Sequence, residues 1–292
     1  MTTRKTFIRQ SGLLMAGLTV KPDAFFKKTM PVGIQLYSLR NQIGKDLEAV
    51  VAKIAAAGYN DIETYGYNSS SDSFFGFSPK ALKDLLKKHK LTSTSGHYAI
   101  DKFLLSDGSD DEVKKLIDVV KAAGQTYLTV SSFSHANTKT VADYAKVAKR
   151  FNAAGEICKK GGVQLGYHNH DSEFKMLDGA SGYDVLLKET DGALLKMELD
   201  LFWAVRGGVD PVEMFKKYPG RFPLWHVKDM DKVNKTKNTE IGNGSIDFKS
   251  IFAAAKISGM KHFYMEQENF DIDPYESIAR SSAYIKKTLL KA

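Results

Sequence analysis

From about residue 32 onward the chain alternates between two textures. Short runs rich in aliphatic, β-branched and aromatic residues are bounded by glycine. Between them lie longer Ala/Lys/Leu stretches whose apolar positions recur every three or four residues. The short runs predict strands over 32–37, 61–64, 91–95, 127–130, 163–168, 195–200, 224–227 and 262–266. The intervening stretches predict helices over 45–57, 79–89, 110–123, 138–160, 181–190, 210–218, 247–258 and 275–291. The first helix puts Leu47, Val50, Val51, Ile54 and Ala55 on one face and ends at Gly58, the residue type that closes helices. Ser78 before Pro79 and Asp210 before Pro211 are N-terminal signals of the same kind.

Strict alternation of strand and helix demands a parallel sheet. Eight such units in about 260 residues match the size of a (β/α)8 TIM barrel. The expected organisation is one α/β barrel over 31–292 behind a leader over 1–30. An open, doubly wound sheet is the competing fold, but it carries a Gly-rich phosphate loop after its first strand. Here that place reads Gln35-Leu36-Tyr37-Ser38-Leu39-Arg40, and no GxGxxG or P-loop lysine motif occurs.

Composition narrows the class. The chain has 292 residues, 43% hydrophobic and 26% charged, as in soluble globular proteins. A single cysteine, Cys158, excludes a disulfide framework or Cys-rich zinc module and reads as a core residue of its helix. Lys+Arg number 42 against 34 Asp+Glu, a net +8. Arg4, Lys5, Arg9, Lys21, Lys27 and Lys28 against Asp23 account for most of that, leaving +3 for the remainder. Nucleic acid is therefore not an expected partner. Arg4-Lys5-Thr6-Phe7-Ile8 followed by the apolar Gly12–Leu18 run has the plan of an export signal and is too short to span a bilayer. It is similar to a twin-arginine signal with Lys in the second position. The expectation is a periplasmic protein without stable membrane association, the alternative a cytoplasmic protein that keeps an N-terminal helix.

The active site of a TIM barrel gathers at the C-terminal ends of its strands. Ligand-type residues concentrate there: Glu63, His97, His168, Asn169, His170, Asp171, Glu173, Glu198, Asp200, His226, Lys228, Asp229, Glu266 and Glu268, with His135 in the loop after strand four. His168 and His170 share a face. Imidazole and carboxylate converging on one mouth suit a divalent transition metal, which would polarise a carbonyl while flanking carboxylates move a proton. His97 reads as a substrate contact or as a cap on a backbone carbonyl. Glu63 reads as a substrate contact or as part of a structural ion pair. Glu198 reads as a buried carboxylate outside the ligand set. Phe74, Phe75 and Phe77 form either a lid or rim packing.

These residues resemble the sugar phosphate isomerase/epimerase family, the xylose-isomerase-like TIM barrels. The marks are Gly33–Arg40, Ala57-Gly58-Tyr59 with Ile62-Glu63, Tyr167-His168-Asn169-His170-Asp171, Leu199-Asp200, His226-Val227-Lys228-Asp229 and Glu266-Gln267-Glu268. The resemblance implies one divalent metal, with manganese preferred and zinc, cobalt, magnesium or iron as alternatives. Its ligands would be Asp200, His226 and Glu266, with His168 in the strand-five place where relatives carry Glu. His170 and Glu173 are rival ligands. Glu266 would double as an acid/base group, and His170, Lys228 and Glu173 are further catalytic candidates. Trp203 stands where some epimerases have histidine and would stack on a sugar ring. Arg206 would bind a carboxylate or phosphate.

The implied activity is isomerisation or epimerisation of a sugar or sugar derivative, by proton transfer next to a metal-polarised carbonyl. Inosose dehydratases of the same superfamily share a histidine-rich strand five. That makes a lyase or dehydratase of a keto-sugar or keto-glycoside the alternative. A small carbohydrate is the expected partner, with a homodimer compatible. An exported sugar-binding protein and a DNA-repair-type endonuclease are the remaining classes, the latter disfavoured by the low charge of the barrel.

Overall fold

The computed structural model describes residues 30–291 except 45, 107 and 135–137. The leader through residue 29 and His135 lie outside the described residues. Eight parallel strands form the barrel wall: β1 (Gly33–Gln35), β2 (Asp61–Glu63), β3 (Ser95–Tyr98), β4 (Tyr127–Val130), β5 (Gln164–His168), β6 (Leu195–Asp200), β7 (Leu224–Val227) and β8 (His262–Met265). They run in the order β2-β1-β8-β7-β6-β5-β4-β3. The ring closes between β2 and β3 through the isolated parallel bridges Asp61–Thr92 and Thr64–Gly96.

The helices start where local chemistry satisfies their first N–H groups. Asp46 accepts from the Ala49 N–H ahead of Leu47–Ala56. Ser78 accepts from the Ala81 N–H ahead of Pro79–Lys88. A reciprocal Thr140/Asp143 capping box opens Val141–Lys160, a helix that buries Tyr144, Val147, Phe151 and Cys158 against the barrel. Strand alternation then divides the wall. On β7, Trp225 points outward and stacks on Phe215 of the helix Pro211–Lys217, with centroids 5.0 Å apart. Its neighbour His226 points into the barrel. Burying a side chain of this size contributes roughly 1.5–3 kcal/mol. At Gly33 any side chain would meet the Tyr264 ring at 2.4 Å, so β1 and β8 can approach only because this position lacks one.

Strand three lies four residues later than the sequence pattern indicated. The Asp61 carboxylate takes up the Thr92 hydroxyl and the Thr94 N–H at 2.8 and 3.1 Å, so 91–94 hold to β2 by side-chain bonds and one bridge rather than a ladder. The helix expected over 247–258 is two pieces, Phe248–Ala253 and Ala255–Ser258. The terminal helix Pro274–Tyr284 widens into a π turn over Ile285–Leu289. Three short elements shape the mouth: a hairpin pairing Tyr67–Asn68 with Ser73–Phe74, a helix Leu201–Arg206 directly after β6, and a hairpin pairing Asp229–Met230 with Asn238–Thr239. No described helix is long and apolar enough to cross a membrane.

Candidate active site

The floor of the mouth is a polar layer where many barrels place aliphatic side chains. Gln35 from β1 donates to Glu63 of β2 at 2.7 Å. The same Glu63 oxygen lies 2.5 Å from His226 Nε2 and 3.2 Å from His97 Nε2. Glu198 of β6 meets His97 at 2.8 Å and His226 at 3.3 Å. Both glutamates are fully buried. Burial alone would raise the Glu63 carboxyl, but the facing His97 and His226 hold it well below the usual range. Burial and the neighbouring Glu63 charge push Glu198 up to about 7. Burial works against a charged His97, yet Glu63 and Glu198 raise it to about 9.

One layer higher, Asp200, His226 and Glu266 bring one donor atom each within 4.8 Å of one another. His226 Nδ1 is 3.0 Å from Glu266 and 3.9 Å from Asp200. Its two ring nitrogens therefore face different carboxylates. A histidine whose far nitrogen is fixed by a carboxylate is oriented for metal ligation. Asp200 also caps the helix behind it, its Oδ1 accepting from the Trp203 N–H at 2.9 Å, which sets Trp203 at the rim. Lys228 is 1% exposed, and its ammonium lies 2.6 Å from Glu268, 2.9 Å from Glu266 and 3.5 Å from Asp200. Desolvation would lower Lys228, but these carboxylates hold it above the ordinary lysine value. Glu266 is depressed in turn, Lys228 and His226 outweighing its burial. His168 is held well below the ordinary histidine value by burial and the positive charges around it.

Above this lies a cavity of about 710 Å3, lined by His97, His168, His170, Trp203, Lys228, Glu266 and Glu268 on its late-strand side. The sequence-derived candidates divide against it. His97, His170, Lys228, Glu266 and Trp203 face the cavity. Glu63 does not; it is fully buried against the His97 and His226 rings. Glu173 is not in the lining either. A 3-10 turn over Ser172–Phe174 turns it inward, where it accepts from the Tyr167 hydroxyl at 2.7 Å and the His170 N–H at 3.0 Å. It anchors the His170 loop. Arg206 pairs with Asp171 at 3.3 Å and packs over Trp203, away from the cavity. His168 stands with His97, Glu198 and His226, not with Asp200 and Glu266. The register explains this: His168 is level with Glu198, whereas Asp200 is level with His226. Phe74 is fully buried and Phe75 packs edge-on against Tyr65, so these two are rim packing, not a lid. Glu198, placed outside the ligand set on its sequence, is buried and points inward beside His97 and His226, as its spacing of two from Asp200 allows.

Hydrogen bonding within the cluster leaves donor atoms free for a divalent ion. His168 Nδ1, Asp200 Oδ2, Glu198 Oε1 and Glu63 Oε1 are buried and form no hydrogen bond. Buried polar atoms of this kind are costly without a partner. An imidazole-carboxylate cluster with such atoms fits an intermediate transition metal.

Comparison with known proteins places this geometry. A profile of the xylose isomerase-like TIM barrel family matches residues 51–288. The chain is similar to an inosose dehydratase of Clostridium botulinum, 25% identical over 84% of this chain and 91% of that one. It is also similar to the crystal structure of a sugar phosphate isomerase/epimerase from Parabacteroides distasonis, with a TM-score of 0.76, 29% identity, and coverage of 90% and 96% of the two chains. An IOLI protein solved with a bound zinc atom shares the fold at a TM-score of 0.67 and 14% identity, covering 90% of this chain and 98% of that one.

Proposed function

We propose, from the premise that the chain belongs to the xylose isomerase-like TIM barrel family, that it catalyses metal-dependent elimination on a keto-sugar or keto-glycoside. The observation that carries this reading is that His170 and Lys228 both line one cavity, in a site whose strand-five place holds imidazole rather than carboxylate. Epimerisation needs proton-carrying groups on both faces of a single carbon. Elimination needs a base at one carbon and an acid at its neighbour. The similarity to inosose dehydratase supports the same choice.

In this scheme His170 takes the proton from the carbon next to the carbonyl. Lys228 gives a proton to the oxygen leaving the adjacent carbon. The C–H and C–O bonds break, a C=C bond forms, and water or an alcohol departs. Solvent then returns the His170 proton to Lys228. Asp200, His226 and Glu266 would hold the metal, with His168 the adjoining imidazole. When bound, the ion would supply Lewis-acid polarisation of the substrate carbonyl. Manganese is the ion that the family resemblance favours. Trp203 gives the sugar an apolar face on which to rest. The Arg4-Lys5 start followed by an apolar run supports a site of action outside the cytoplasm.

Isomerisation or epimerisation is the second reading, favoured by Glu266 on the cavity wall and by the Parabacteroides structure. Incubation of chelated and manganese-loaded protein with an inosose and a 3-keto-glucoside, followed by mass spectrometry, separates the possibilities. Loss of water or release of the aglycone, abolished by chelation, is expected. A product of unchanged mass overturns elimination in favour of isomerisation. Normal turnover by fully stripped protein overturns both.

A further inference from the structure

The cavity extends well past the residues assigned to chemistry. Its early-strand side is walled by Tyr37, Tyr65, Tyr67 and Tyr98. Tyr37 and Tyr65 meet edge-to-face at 5.0 Å, and Tyr65 meets Phe75 at 5.2 Å. Phe75 holds this contact from a left-handed backbone, φ +50, a conformation that non-glycine residues adopt at a cost of order 1–3 kcal/mol. Gly66 beneath it leaves room that a side chain would fill, since a Cβ there would come within 2.7 Å of the Phe75 ring. Tyr67 is tied by its hydroxyl to Asp72 and Tyr98 by its hydroxyl to Gln125. The Tyr37 and Tyr65 hydroxyls have no hydrogen-bond partner among the described residues. The wall is thus a braced set of aromatic rings with two unused hydroxyls, the mixture of flat apolar face and polar tip that suits a sugar ring.

Volume points the same way. A single hexose displaces on the order of six waters of ~30 Å3 each, a small part of the 710 Å3 present. Charge argues against a phosphate as the additional group. Lys228 is matched by Asp200, Glu266 and Glu268. Lys115 is engaged by the Ser69 carbonyl at 2.9 Å, and Glu112 shares the same end of the cavity as Lys102.

We infer that the early-strand half of the cavity is a second-ring subsite, and that the substrate is an uncharged two-ring glycoside whose non-reacting ring lies against Tyr37 and Tyr65. This rests on the sugar-processing reading given above and narrows its substrate class. The test is calorimetric binding to the manganese-loaded full chain, with glucose, glucose 6-phosphate, cellobiose, maltose and trehalose as probes. At least one disaccharide is expected to bind ten times or more tighter than glucose. Tyr65→Ala is expected to bring that ratio near one, while Tyr65→Phe retains most of it. A ratio near one in the unaltered protein overturns the subsite alone, as does a ratio that survives Tyr65→Ala. A gain with glucose 6-phosphate equal to that with the disaccharides also overturns it, by making the region an anion site. Failure of every sugar to bind overturns the sugar reading as well.

Discussion

Lys228→Met removes one positive charge from an almost fully buried position on the cavity wall. Its ammonium sits within 2.6–3.5 Å of Glu268, Glu266 and Asp200, two of which are metal candidates. Methionine keeps the length of the chain and its apolar stem while leaving those carboxylates facing one another. Breaking a buried ion pair by removing one partner costs about 3–5 kcal/mol. At roughly 2 °C per kcal/mol for a chain of this size, the metal-free variant should melt about 6–10 °C below the metal-free parent. A divalent cation repairs the same deficit. At a hundred times its dissociation constant, manganese adds about 2.7 kcal/mol. In the parent it must share its carboxylates with an ammonium, and in the variant it need not. The manganese-induced rise in melting temperature should therefore be larger in the variant, even as turnover falls by about 10²–10⁴ through loss of the proton donor. Scanning fluorimetry with chelator and with excess manganese reads both quantities. A metal-free shift below 2 °C, or equal manganese gains in the two proteins, refutes the idea that ammonium and metal compensate the same charges.

Three further outcomes are expected. Glu63→Gln should weaken manganese binding by about 10–100-fold, because it loosens the grip on the far nitrogen of His226; titration with a metal indicator measures this, and unchanged affinity would show that Glu63 has no orienting role. Asp229→Ala should destabilise the protein by about 2–4 kcal/mol in urea, since the carboxylate accepts from the N–H groups of Met230, Gly242, Gly244 and Ile246 and each loses its partner. Glu240 is depressed to about 2, as hydrogen bonds from Ser277 and Asn243 overcome its burial. Its folded value lies below its unfolded one, so the stabilisation is complete above about pH 4.5 and disappears as the pH falls toward 2; Glu240→Gln should flatten the acid limb of stability in that window, and an unaltered limb would assign the acid sensitivity elsewhere.

Most of the barrel was legible because its strands bury both faces. The runs Leu195–Asp200 and Leu224–Val227 read as strands to the residue, their composition allowing little else. The Thr- and Ser-rich stretch before His97 did not, because it is tied down by an aspartate on the neighbouring strand, a contact no local pattern encodes. Strand ends likewise placed Asp200, His226 and Glu266 together without revealing height. A sequence says that Glu63, His168 and Glu198 point into the barrel, whereas only register says that they form the layer beneath. The loop after β5 hid Glu173 in the same way, since one 3-10 turn decides whether a carboxylate faces solvent or interior. Of the tyrosine wall, Tyr67 stands on a hairpin and Tyr65 packs on Phe75 beside it, with left-handed residues at Asp72 and Phe75, positions that composition does not announce.

Between β2 and β3 the ring is closed by the separate bridges Asp61–Thr92 and Thr64–Gly96 and by the Asp61 carboxylate on Thr92 and Thr94, while every other junction is a register of consecutive pairs. The backbone bonds of the β2–β3 seam fall into two groups, Ile62 to Thr92 and Thr92 to Asn60, then Thr64 to Ser95 and His97 to Thr64, instead of one continuous ladder. His97 hangs on its inner edge, its N–H on the Thr64 carbonyl at 2.7 Å. Glu63 and Glu198 thus meet through an imidazole carried on the interrupted junction, whereas Asp200, His226 and Glu266 stand on or directly after strands paired by continuous registers. The candidate cation ligands therefore share the continuous part of the wall, and the tyrosine-lined half of the mouth borders the seam.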